Sequence, residues 1–75
     1  MNDPTNTQAP APAPRRFIRI RDVMNRTGLS KSTIYAKIRQ NQFPKYVPLG
    51  SISVWVEAEI DRWIDQQIFK RDEAA

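Results

Sequence analysis

The side chains of this sequence with chemical reach are basic or carry a hydroxyl, and they crowd into one stretch. Residues 15–48 hold nine basic side chains (Arg15, Arg16, Arg19, Arg21, Arg26, Lys31, Lys37, Arg39 and Lys45) against a single acid, Asp22. Within that stretch Ser30, Lys31, Ser32, Thr33, Tyr35, Ala36, Lys37 and Arg39 fall close together. Ammonium and guanidinium groups attract phosphate oxygens, and short hydroxyls reach the hydrogen-bonding edges of bases. Residues 57–75 have the opposite balance, six acids against three bases. A basic block beside an acidic one is the footprint of a polyanion binder. The plainer alternative is an ordinary solvated surface.

Other chemistries lack their residues. There is no cysteine, which removes disulfides, thiolate nucleophiles and cysteine-based zinc sites. There is no histidine, the usual general base near neutral pH. No Asp, Glu or Lys pair has a spacing that suggests acid–base work. At 75 residues the chain has room for one small core, and a deep enclosed active site is not expected. The expectation is a binding protein, not an enzyme, with no cofactor and no metal. No apolar run approaches the roughly 18 residues of a membrane span, and the N-terminus does not read as a secretory signal. A cytoplasmic, nucleoid-associated protein with no membrane partner is expected.

The elements that must position these side chains can be read from spacing. Residues 1–14 hold four of the six prolines and no large apolar residue, which predicts a disordered Pro/Ala-rich tail. A DNA-binding domain is expected over 15–71 and a disordered C-terminus over 72–75. Phe17–Ile20 reads as a short extended entry. A helix follows from about Arg21 to Thr27, with Val23 and Met24 inward and Gly28 as its C-cap. Ser30 caps a second helix from about Lys31 to Gln40, pinned to the core by Ile34 and Ile38 and stopped by Asn41. Phe43–Pro48 cannot be helical, with prolines near both ends. It is expected to pair with the β-branched run Ile52–Val56 across a turn at Leu49-Gly50-Ser51, making a two-stranded wing. A third helix runs from about Glu57 to Arg71, with Ile60, Trp63, Ile64 and Ile68 as its apolar stripe.

Two short helices joined by Thr27-Gly28-Leu29-Ser30, with Leu29 in the corner, have the form of a helix-turn-helix. A helical hairpin with a polar face is the plainer reading. The charge map and the proline-flanked wing favour DNA recognition. A recognition helix reaches base edges from its N-terminal residues, here Lys31, Ser32 and Thr33. Ala36 keeps the approach close, while Lys37 and Arg39 can reach phosphates or a guanine edge.

The run GLSKSTIYAKIRQNQFPKYVPLG, followed by VEAEIDRWI, resembles the AlpA family of prophage regulatory proteins. The resemblance covers residues 17–68. It is most specific in Ser30–Tyr35, Phe43-Pro44, Leu49-Gly50 and Glu59–Ile64. It implies a fold similar to the winged helix-turn-helix of phage excisionases and of MerR-type regulators: mainly α, three helices and a small β wing. It also implies DNA binding near promoters and attachment sites of integrated elements, as a transcription factor, a recombination directionality factor, or both. The chain departs from the family pattern at Asn41 and Gln42, where a Gly usually precedes Phe-Pro. It departs again at Ile52, where the second wing strand usually carries Arg. Lys45, Tyr46, Ser51 and Ser53 are then the wing's candidate DNA contacts. Arg15, Arg16, Arg19 and Arg21 are the candidate backbone contacts, the first two as a flexible arm. Trp55 and Trp63 are expected to pack.

The expected function is sequence-specific binding of double-stranded DNA, through the major groove and the phosphate backbone, for regulation or excision. Further partners to consider are neighbouring copies on DNA, RNA polymerase and an integrase. Glu57, Asp61 and Asp65 share a helical face and are the candidate surface for a neighbour's arginines. The alternative is a protein-interaction module, a phage adaptor or anti-repressor, that uses the helix-turn-helix as a scaffold.

Overall fold

The computed structural model describes residues 15–74. The expected tail over residues 1–14 lies outside the described residues, as does Ala75. The order is β1 (Phe17–Ile18), α1 (Ile20–Thr27), α2 (Lys31–Arg39), β2 (Val47–Leu49), β3 (Ile52–Val56) and α3 (Glu57–Ala74). Three helices and a small antiparallel sheet make a winged helix-turn-helix, as the spacing predicts.

Local sequence sets the helix ends. Gly28 closes α1 at φ 74°, with its N–H donating to the Met24 carbonyl at 2.8 Å. The Thr27 hydroxyl donates to the Val23 carbonyl and accepts from the Leu29 N–H, which fixes the turn between the two helices. Ser30 caps α2 by accepting from the Thr33 N–H at 3.3 Å. At the other end Asn41 takes φ 58°, its N–H bonds the Ile38 carbonyl, and the Gln42 N–H bonds the Lys37 carbonyl. That pair of bonds is a Schellman closure, made here by Asn where Gly is more usual.

The sheet departs from the two-stranded expectation. Its strand order is β1-β3-β2, so the Phe17-Ile18 entry is a third strand, with Phe17 opposite Val56 and Ile18 opposite Trp55. On the other edge β2 is only three residues long, and Val47, Pro48 and Leu49 face Val54, Ser53 and Ile52. Lys45 and Tyr46 therefore precede the wing strand and do not lie on it. Pro44 helps to explain the late start, since it has no N–H to give a ladder. Its carbonyl instead accepts from the Trp55 indole N–H at 3.1 Å.

The core is Ile18, Val23, Ile34, Phe43, Trp55 and Ile60, drawn from every element except β2. Val23, Ile34, Trp55 and Ile60 have no exposed surface, so Trp55 packs as expected. Trp63 is half-buried against this cluster. Ile68 is not core: it is 45% exposed, and Phe69 beside it is 62% exposed. The apolar stripe of α3 continues after its partners have ended. The helix itself also continues, through Ala74, so residues 72–74 are helical where a disordered end was expected. Ala, Glu and Arg are good helix formers and extend it without packing. Among the described residues, no helix is long and apolar enough to cross a membrane.

Candidate nucleic-acid interface

α2 presents the densest group of expected contacts. Ile34 is buried and Ile38 half-buried, and they hold one side of the helix against the core. By helical periodicity the far side carries Ser32, Ala36 and Arg39. Lys31, Ser32 and Arg39 are exposed, while Thr33, Ala36 and Lys37 are half-buried. The cap engages the first-turn hydroxyls. Ser30 Oγ donates to Thr33 Oγ1 at 2.9 Å and lies 3.4 Å from Ser32 Oγ. The hydroxyls of Ser30 and Thr33 thus already have partners within the chain.

The two flanks of α2 differ. On one, Tyr35 meets Tyr46 and Trp55, with ring centroids 6.0 and 6.1 Å apart, and Tyr46 lies 5.8 Å from Trp55. These tilted and edge-on contacts join the helix to the wing through aromatic packing. Tyr35 and Tyr46, both expected at the DNA, are half-buried in this cluster. On the other flank Lys37 lines an open furrow of about 840 Å³ that also takes in Lys45 and the α3 residues Glu59, Arg62, Gln66 and Lys70. Trp63 also lines the furrow; it stacks edge-on to Phe43 at 4.7 Å and donates its indole N–H to the Gln42 carbonyl at 2.8 Å. Ser51 is exposed in the wing turn, and Ser53 is half-buried on β3 opposite Pro48.

The arm is more fixed than its sequence suggests. Arg15, Arg16, Arg19 and Arg21 are all exposed. The Arg16 carbonyl, however, accepts from the Glu57 N–H at 2.8 Å, and the Arg16 guanidinium lies 3.6 Å from the Glu57 carboxylate. A free first-turn N–H of α3 is thereby satisfied by the arm's own backbone. The expected flexible arm is anchored from Arg16 onward. Arg19 flanks α1, and its N–H donates to Asp22 at 3.4 Å.

The acidic face of α3 is also committed. Arg26 of α1 reaches across to both Glu57 and Asp61, the latter at 2.7 Å. Two of the three acids expected to meet a neighbouring copy are thus tied to an arginine of their own chain. Asp65 is exposed and in no ion pair among the described residues.

Sequence reasoning placed no DNA contact on α3, because its charges sum to an acidic segment. Arg62 and Lys70 are exposed in the furrow all the same. Their spacing of i, i+4, i+8 with Gln66 was the available signal, since it puts all three on one helical side.

The sequence matches known proteins over most of the described residues. Residues 16–68 match the family described as Prophage CP4-57 regulatory protein (AlpA). A phage P4 protein, "Uncharacterized protein ORF88", is 38% identical over 76 aligned positions, spanning 84% of this chain and 86% of its own. The "DNA-binding transcriptional activator AlpA" of Escherichia coli K12 is 39% identical over 59 positions, spanning 69% of this chain and 84% of its own. No solved structure matches.

Proposed function

The chain belongs to the AlpA family of prophage regulatory proteins, and from that premise we propose that it is a sequence-specific binder of double-stranded DNA. Residues 15–71 form the binding domain, and α2 enters the major groove. The carrying observation is that Ser32 and Arg39 are exposed on the side of α2 opposite the buried Ile34, with Lys31 exposed in its first turn. A major groove admits one helix, and these exposed residues supply donors for guanine edges and phosphates. The relative's printed name, a DNA-binding transcriptional activator, points the same way. The protein acts as a binding module without catalysis, on the DNA of a phage, prophage or integrated element and at the nucleoid.

Footprinting on the DNA that flanks its own gene tests this. One short protected site is the result expected of a promoter-binding regulator that touches RNA polymerase. A long phased array with bending points instead to an excisionase that works beside an integrase. Affinity should fall steeply with salt, since each neutralised phosphate releases condensed counterions. Lys31→Ala should weaken the preferred site by about 1–3 kcal/mol and random DNA much less. A protein that binds no duplex at low salt would sink the proposal in favour of an adaptor or anti-repressor. That alternative needs the acidic side of α3 as its working surface, and Arg26 already occupies Glu57 and Asp61 there.

A further inference from the structure

The furrow between α2 and α3 gathers four cations from three separate parts of the chain. Lys37 comes from the end of α2, Lys45 from the connection to the wing, and Arg62 and Lys70 from α3. Among the described residues none of the four takes part in an ion pair. One acid, Glu59, shares the furrow with them. On the opposite side of the same helix, Glu57 and Asp61 are paired with Arg26. On α3, therefore, Glu57 and Asp61 are committed inside the fold, while two of its cations are left open beside α2.

We propose that this furrow is a second seat for DNA backbone. It would hold phosphates of the same duplex whose major groove α2 reads, and so it rests on the function proposed above. Lys37 makes the two surfaces continuous, because it sits on the flank of α2 and also lines the furrow. From Arg62 to Lys70 the helix rises about 12 Å, which spans more than one phosphate of a strand. The furrow is open, not a closed pocket, and suits a continuous backbone better than a small anion. Gln66, exposed between the two cations, can donate to a phosphate oxygen. Arg62 and Lys70 position the duplex and carry no base preference. They have a different task from Lys31 and Ser32.

The test is a double substitution, Arg62→Gln with Lys70→Gln, titrated on the preferred site and on random duplex over a range of salt. Both side chains are exposed, so circular dichroism should match the parent. The expected result is a loss of affinity by the same factor on both DNAs. The log–log salt slope should shrink by about 2, near one unit for each phosphate contact removed. Hydroxyl-radical protection should retract at one side of the footprint while base-specific protection persists. The charge-keeping pair Arg62→Lys with Lys70→Arg should bind as the parent does, and Glu59→Gln should bind both DNAs more tightly. A folded double variant with the parent's affinity and slope overturns the second seat. So does a loss confined to the preferred site, which would mean base reading. If Lys31→Ala loses selectivity while the furrow variant is silent, only the furrow proposal falls. If the parent binds no duplex, both proposals fall together.

Discussion

The two sides of α3 carry opposite charge and are treated in opposite ways. Toward α1, Glu57 and Asp61 are closed by Arg26, and Arg16 adds to Glu57. Toward α2, Arg62 and Lys70 stand open in the furrow. The first side spends charge on joining elements, and the second presents it to solvent. The lesson is that a segment's net charge says little about what either side of a helix offers. Residues 57–75 sum to an acidic segment, yet the side beside the candidate recognition helix is basic.

The substitution with the largest expected effect strikes both sides at once. Ile60 has no exposed surface and anchors α3 to the core that both sides share. Ile60→Ala should cost about 2–5 kcal/mol, comparable with the total stability of so small a domain. Thermal melting should show a chain largely unfolded near 37 °C. A melting point close to the parent's would mean that α3 is held by its charges and not by packing.

A smaller loss should separate the sides. Trp63 joins the furrow to the rim of the core, through Phe43 and the Gln42 carbonyl. Because it is half-buried, Trp63→Ala should cost about 2–3 kcal/mol, below the usual range for a fully buried Trp. Denaturant titration measures this directly. A loss as large as that of Ile60→Ala would show that Trp63 carries as much of the core as Ile60 does.

The paired side should yield less. Arg26→Gln breaks two ion pairs, one of them to a Glu57 side chain that is only 16% exposed. Arg26 itself is 38% exposed, so solvent screening limits the loss to about 1 kcal/mol. At 1 M salt, where screening reaches about 3 Å, most of that difference should vanish. A loss that persists at high salt would point to packing by the arginine stem.

The least effect on stability is expected on the open side. Arg62→Gln should leave the unfolding free energy within about 0.5 kcal/mol of the parent, as for a surface substitution with no partner. Stabilisation is also acceptable, since removing a cation near Lys37 and Lys70 relieves like-charge repulsion. A clear destabilisation would break the comparison, because Arg62 would then be serving the fold as Arg26 does.

Much of the frame was legible in the order of residues. Ser30, Gly28 and Asn41 marked the ends of α1 and α2 because caps act within a few residues of themselves. Val23, Ile34 and Ile60 were legible as core because helical period alone places them inward. The apolar stripe of α3 was legible too, but it overran. Ile68 has the right period and still faces solvent, since period predicts a side of a helix and not whether anything lies opposite. Among the expected site residues, the exposed group on α2 followed from the same periodicity. The packing of Tyr35 and Tyr46 on Trp55 did not, because it needs the wing folded back onto α2.

By itself the sequence determined what depends on near neighbours: the caps, the helical periods, the wing turn at Gly50 and the basic character of α2. Tertiary structure alone decided what depends on residues far apart. β1 became a strand only because Phe17 and Ile18 found Val56 and Trp55. Arg26 found Glu57 at a separation of 31 residues, which settled which charges cancel. Lys37 and Arg62 came to share a furrow for the same reason. Local hydrogen bonds are set by spacing along the chain. Which charges pair and which stay open is set by distances in space, and those exist only once the core has formed.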